Sequence, residues 1–134
     1  MEKYLWMAGA LPFIILGTIH LGYTFFSNKL TARDNQLNEI MKVSFPVLTK
    51  NTTMWKSWTG FNASHSTGAI YFGLVNVILP IQYPAALQNP LLQFINIVTV
   101  LFYVWLAKKY WFRIPFMGML ISFLCFLSAM LASA

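Results

Sequence analysis

Four long apolar runs constrain this chain more than any other feature. They cover about residues 4–27, 58–82, 91–107 and 114–133 of a 134-residue sequence. At about 1.5 Å per residue, a helix of about 17 to 25 residues crosses the hydrocarbon layer of a bilayer. Lipid offers a backbone no hydrogen-bonding partner, so such runs are expected to be helical throughout. Composition points the same way. Charged residues make up 9% of the chain, against about 25% in soluble domains. The expected fold is all-α: a polytopic membrane protein forming a single four-helix transmembrane bundle over residues 1–134.

The net charge of +6 invites a nucleic-acid reading, but the positions of the charges oppose it. Eight of the nine Lys and Arg residues fall between apolar runs: Lys29, Arg33, Lys42, Lys50 and Lys56 in one segment, Lys108, Lys109 and Arg113 in another. The N-terminus, the 83–90 connection and the C-terminus together hold only Lys3. That asymmetry sets topology, with the basic segments cytoplasmic and both termini outside. It predicts a multi-pass protein of a cell membrane, a bacterial inner membrane by expectation. The spans leave little soluble surface for a basic groove, so no nucleic acid is expected as a partner. The first run follows "MEK", is long, and lacks a small-x-small cleavage site, so it is expected to be retained as a helix. Cys125 is the single cysteine. No disulfide within the chain and no Cys/His metal spacing is possible.

The first basic segment has structure of its own. "TARD", Thr31 to Asp34, has the spacing of a capping box. Leu30, Leu37, Ile40, Met41, Ser44 and Leu48 then recur at roughly helical spacing, opposite Arg33, Asp34, Asn38 and Lys42. Pro46 breaks the pattern. A short amphipathic helix over about 31–45 is predicted to lie at the cytoplasmic interface. Trp55, Trp58, Tyr110 and Trp111 are placed at headgroup level. Pro84 and Pro90 are expected to end one helix and start the next.

The polar residues inside the runs are the informative ones. In "GFNASHSTG", Gly60 to Gly68, helical spacing puts Asn62 and His65 on one stripe together with Asn76. Gly60, Ser64 and Gly68 recur every four positions on a neighbouring stripe, a small-xxx-small pattern that permits close helix packing in lipid. On the first run Gly9, Phe13, Gly17, His20 and Thr24 share a face, with Gly17 expected to pack. On the third, Gln93, Asn96, Thr99 and Tyr103 spread over a wider arc, and on the fourth Gly118, Ser122 and Cys125 form a small-residue face. Counting along each run predicts two polar layers: His20, Asn62, His65 and Tyr103 on the cytoplasmic side, Asn76 and Asn96 on the outer side.

Catalysis has few candidates. Glu2, Asp34 and Glu39 are the only acids, and none lies in a span. A paired-carboxylate site and a carboxylate proton relay are therefore excluded. No glycine-rich phosphate loop and no Ser/His/Asp set exists. Three readings of the histidine layer stay open. The polar residues hold the bundle in register through hydrogen bonds across helices. Alternatively they line a ligand cavity for an apolar or amphipathic molecule. In the third reading His20 and His65 ligate a b-type haem or transfer protons. Two histidines make a poor zinc site, so no metal is expected. The expected function is non-catalytic: ligand binding in the bundle, or service as a subunit of a membrane assembly, with the bilayer, other membrane subunits or a second copy as partners.

The span pattern, with the "GTIHLGYTFF" and "GFNASHSTGAIYFG" segments, resembles the small DoxX-like membrane proteins and related bacterial families of four-helix bundles. The resemblance covers most of the chain and implies the same four-span architecture. It implies no single activity.

Overall fold

The structure, a computed structural model, describes residues 1–133. Among the described residues there are α-helices and turns but no strand. The order is α1 (Glu2–Phe26), α2 (Asn35–Val43), α3 (Met54–Gln82), a 3-10 turn (Pro84–Gln88), α4 (Pro90–Tyr110) and α5 (Arg113–Ser133). Three helices, α1, α4 and α5, are long and apolar enough to cross a membrane. The expectation of four such helices is corrected at α3. That helix is 29 residues long, but the polar and small residues from Gly60 to Gly68 dilute its apolar character. In α1, α4 and α5, only 28, 17 and 22% of the most apolar stretch is buried within the chain. Most of that surface needs an apolar environment from outside the chain, as helices in lipid have.

The first connection also differs in detail from its expectation. Its helix runs over Asn35–Val43, not 31–45, and Asp34 rather than Thr31 caps it. The Asp34 carboxylate accepts from the Gln36 amide at 2.9 Å. The Thr31 hydroxyl instead donates to the Asn28 carbonyl at 2.8 Å. The helix stops at Ser44, before the residue that Pro46 holds out of helical geometry. At the other connection the prolines act as expected. Asn89 Oδ1 accepts from the amides of Leu91 and Leu92, and Pro90 occupies the first position of α4, where a missing N–H costs nothing.

The described residues form two compact units, residues 1–16 with 69–133, and residues 17–68. In the first, Trp6, Ala10 and Phe13 of α1 join Val100 and Ala107 of α4 and Met119, Phe126 and Ala129 of α5 in a buried core. Phe13 packs against Phe72 at 4.6 Å and edge-on to Tyr103 at 5.1 Å between ring centroids. Trp6 meets Phe126 edge-on at 5.1 Å. Glycine makes the closest approach here. A Cβ at Gly73 would lie 2.5 Å from Ile14 Cγ1 and 3.0 Å from the Ala10 carbonyl oxygen. One at Gly9 would lie 3.0 Å from the Phe126 ring.

In the second unit, α2 is tied at both ends. Asn38 Oδ1 accepts from the Ala32 amide at 3.1 Å, and its Nδ2 donates to the Ala32 carbonyl at 2.9 Å. The Met54 amide donates to the Ser44 carbonyl at 2.9 Å, closing the loop that leads into α3. No residue of α2 is buried, and Leu37, Ile40 and Val43 are exposed.

These glycine environments predict opposite outcomes for similar substitutions. Gly73→Ala should lower stability in detergent by about 1–3 kcal/mol, because backbone as well as side chain must move. Gly60→Ala should be neutral or slightly stabilising, since nothing among the described residues lies within 4 Å of a Cβ there. Thermal unfolding of the two variants against wild type checks both.

Candidate functional site

Polar side chains within long helices must find partners inside the protein, and in this chain most find the first in their own helix. The hydroxyls of Thr24, Ser66 and Thr67 donate to the carbonyls four residues back, at 2.7–2.9 Å. Asn62, Asn76 and Asn96 do the same with Nδ2, bonding Trp58, Phe72 and Leu92 carbonyls at 2.8, 3.0 and 2.9 Å. This back-bonding leaves each asparagine Oδ1 turned outward as an acceptor.

Within residues 17–68, that acceptor creates the candidate site. Asn62 Oδ1 lies 2.8 Å from His20 Nε2. A carbonyl-type oxygen only accepts, so in this contact Nε2 of His20 is the donor. His65 stands edge-on to His20, with ring centroids 5.7 Å apart and planes at 80°. All three side chains are half-buried. Three of the four residues expected in one layer, His20, Asn62 and His65, are thus together in this unit. Tyr103 belongs to the other unit, where its ring meets Phe13 and Trp111.

In the unit of residues 1–16 and 69–133, the same device recurs with a different donor. Trp6 Nε1 donates to Asn76 Oδ1 at 2.8 Å, a buried bond. Asn96 is also buried, but its Oδ1, like the Ser122 hydroxyl, has no hydrogen-bond partner among the described residues. Asn76 and Asn96 therefore do not act alike.

The small-residue stripe of α3 is open. A Cβ at Gly60 or Gly68 would meet nothing within 4 Å among the described residues, and the exposed Ser64 hydroxyl bonds its own helix at Phe61. Gly17 is buried. Close approaches are made at Gly9, Gly73 and Gly118, in the unit of residues 1–16 and 69–133.

Sequence reasoning missed two things. The first is Trp6, the partner of Asn76. A signal existed: Trp6 and His20 are fourteen residues apart, as are Asn62 and Asn76, a spacing that returns to nearly the same helix face. The second is a recess of about 120 Å³ beside α2, walled by Leu30, Ala32, Met41, Trp55 and Trp58 with Thr31 and Asn38 at its edge. Its walls come from three segments far apart in sequence, and no periodicity marks it. Among the described residues no three His, Cys, Asp or Glu side chains gather as a metal site.

The two asparagine bonds make a paired prediction. A double-mutant cycle on His20→Ala and Asn62→Ala should give a coupling of roughly 0.6–2 kcal/mol. Trp6→Phe keeps the ring on Phe126 but removes the N–H, and its cycle with Asn76→Ala should give a coupling of similar size. Unfolding of each single and double variant in one detergent measures both.

Comparison with protein-family models, with curated proteins and with solved structures finds no match for this chain.

Proposed function

We propose that this chain is a non-catalytic, four-span membrane protein with both termini outside the cytoplasm, which binds an amphipathic ligand at the recess beside α2. The observation that carries the ligand reading is the recess itself: apolar walls, two tryptophans and polar edges already satisfied, within a basic segment. The four-span reading fits the resemblance to DoxX-like bundles, from which no activity is taken.

Charge supports α3 as a fourth crossing. If α3 crosses, the first connection, with Lys29, Arg33, Lys42, Lys50 and Lys56 in or beside it, shares a side with the α4–α5 turn, which Lys108, Lys109 and Arg113 flank. If it did not, Lys3 and the Lys108 group would face away from the first basic segment and the asymmetry would vanish. At 29 residues the helix is long enough. Its Asn62, Ser66, Thr67 and Asn76 already bond the backbone one turn back, which lowers the cost of placing them in lipid.

The competing reading, an enzyme or redox protein built on His20 and His65, meets an obstacle in the same geometry. A bis-histidine haem needs a ring nitrogen of each residue turned to the iron. Nε2 of His20 is engaged by Asn62, which leaves only Nδ1 of that ring to face an iron. The half-buried pair is better suited to joining α1 to α3.

Two measurements test the proposal. Reporter fusions at the C-terminus should read outside the cytoplasm; a cytoplasmic signal would overturn the topology. Native mass spectrometry of the protein released from mild detergent should show retained lipid-sized adducts, reduced when Ala32→Leu fills the recess. A Soret band lost in His20→Ala would instead establish the haem reading.

A further inference from the structure

Resting on that ligand reading, we infer that the occupant of the recess is an anionic phospholipid of the adjoining leaflet, its phosphate held by the cations of the first connection and its glycerol end seated against Trp55 and Trp58. Size is the first argument. About 120 Å³ is the space of about four waters at roughly 30 Å³ each. That accommodates a glycerol backbone or the first carbons of an acyl chain, and the remainder of such a molecule would extend into lipid.

The wall chemistry is the second. The polar groups at the edge of the recess are spent: Asn38 bonds both backbone groups of Ala32, and Thr31 bonds Asn28. What is left to offer is apolar contact from Leu30, Met41 and the tryptophan pair, whose rings stack at 5.9 Å. Exposed Leu37, Ile40 and Val43 on α2 add apolar surface beside it. A segment that exposes both apolar side chains and cations belongs at headgroup level, where each finds its own solvent.

Charge complementarity is the third. Residues 27–57 carry Lys29, Arg33, Lys42, Lys50 and Lys56 against Asp34 and Glu39. Both acids are engaged, Asp34 as a helix cap and Glu39 with Lys42 at 2.6 Å. Lys29 leans on the Tyr23 ring and hydroxyl. Arg33, Lys50 and Lys56 have no side-chain partner among the described residues. Lys42, paired with Glu39, has its Nζ 5.7 Å from the centre of the ring of Trp55, a residue that lines the recess. Arg33 follows Ala32 in the wall. An anion poised there meets a basic segment in which Arg33, Lys50 and Lys56 are uncommitted, and anionic lipid is the anion that also brings an apolar part to the recess.

The test uses the full chain in mild detergent, loaded with either a phosphatidylglycerol or a phosphatidylcholine of identical acyl chains, and counts retained lipid by native mass spectrometry. Wild type should retain the glycerol lipid at least about fivefold better, with the preference shrinking as salt rises. Arg33→Gln with Lys42→Gln should bring the two lipids level, and Arg33→Lys with Lys42→Arg should restore the preference. Ala32→Leu should reduce both. Helical circular dichroism and a single elution peak confirm that each variant folds; if the double Gln variant does not, Arg33→Gln alone should halve the preference or better. Equal retention of both lipids by wild type overturns the anionic assignment and leaves the ligand reading standing. No retained lipid of either kind overturns the ligand reading itself. A soluble polyglutamate peptide that displaces phosphatidylglycerol at equal concentration would identify an acidic protein segment as the occupant and overturn the proposal.

Discussion

The structure depends on one constraint: a polar side chain in an apolar helix has to be satisfied without water. Asparagine meets it in two steps. Its amide nitrogen bonds the carbonyl one turn back, and its oxygen is then held outward at a defined height on the helix. A donor on another helix that meets this oxygen fixes both the rotation and the axial position of the pair. In one unit the donor is the imidazole of His20, in the other the indole of Trp6. Such a bond is worth no more than about 2 kcal/mol. Its influence on register comes from the cost of leaving a buried acceptor empty in every competing arrangement.

Glycine supplies the complementary condition. Gly73 lets α3 approach the backbone of α1 at Ala10 and Ile14, closer than any side-chain-bearing residue would allow. Close backbones bring dispersion contacts that lipid chains cannot match, and packing rather than water exclusion drives association in a bilayer. The polar bond selects the arrangement, and the glycine contact makes that arrangement tight. Phe13, wedged between Phe72 and Tyr103, fills what remains.

Much of this could be read from the sequence, and the misses share a cause. Helix positions followed from the apolar runs, since the requirement for a fully bonded backbone leaves little choice. Helical periodicity combined with depth put His20, Asn62, His65 and Tyr103 at one level, but did not single out the bond between Asn62 and His20. Periodicity, however, records only which residues share a face, not which face is turned toward a partner. Gly60, Ser64 and Gly68 form a packing stripe by spacing alone, yet an added Cβ at Gly60 or Gly68 meets nothing within 4 Å among the described residues. The length of its apolar run also overstated α3, whose polar stretch is long enough to offset its hydrophobic second half. At α2, Thr31 and Asp34 are both capping residues, and only the direction of the entering chain decides between them. The recess had no signature because its walls meet through the Asn38 clamp and the Met54–Ser44 tie, two contacts that no pattern of hydrophobicity encodes.

The Trp6–Asn76 bond carries a consequence for how the chain is made. Its partners are 70 residues apart. At about 5–20 residues per second of synthesis, roughly 4 to 14 seconds separate their appearance. Throughout that interval the first helix exists without its anchor. The indole, near the helix start, is a side chain at home at the boundary between lipid and water, where its N–H stays hydrated. Arrival of the third helix offers the same N–H a fixed acceptor in place of solvent. For a first helix that starts at such a boundary, the Trp6–Asn76 bond is thus a hand-over from water to a fixed acceptor.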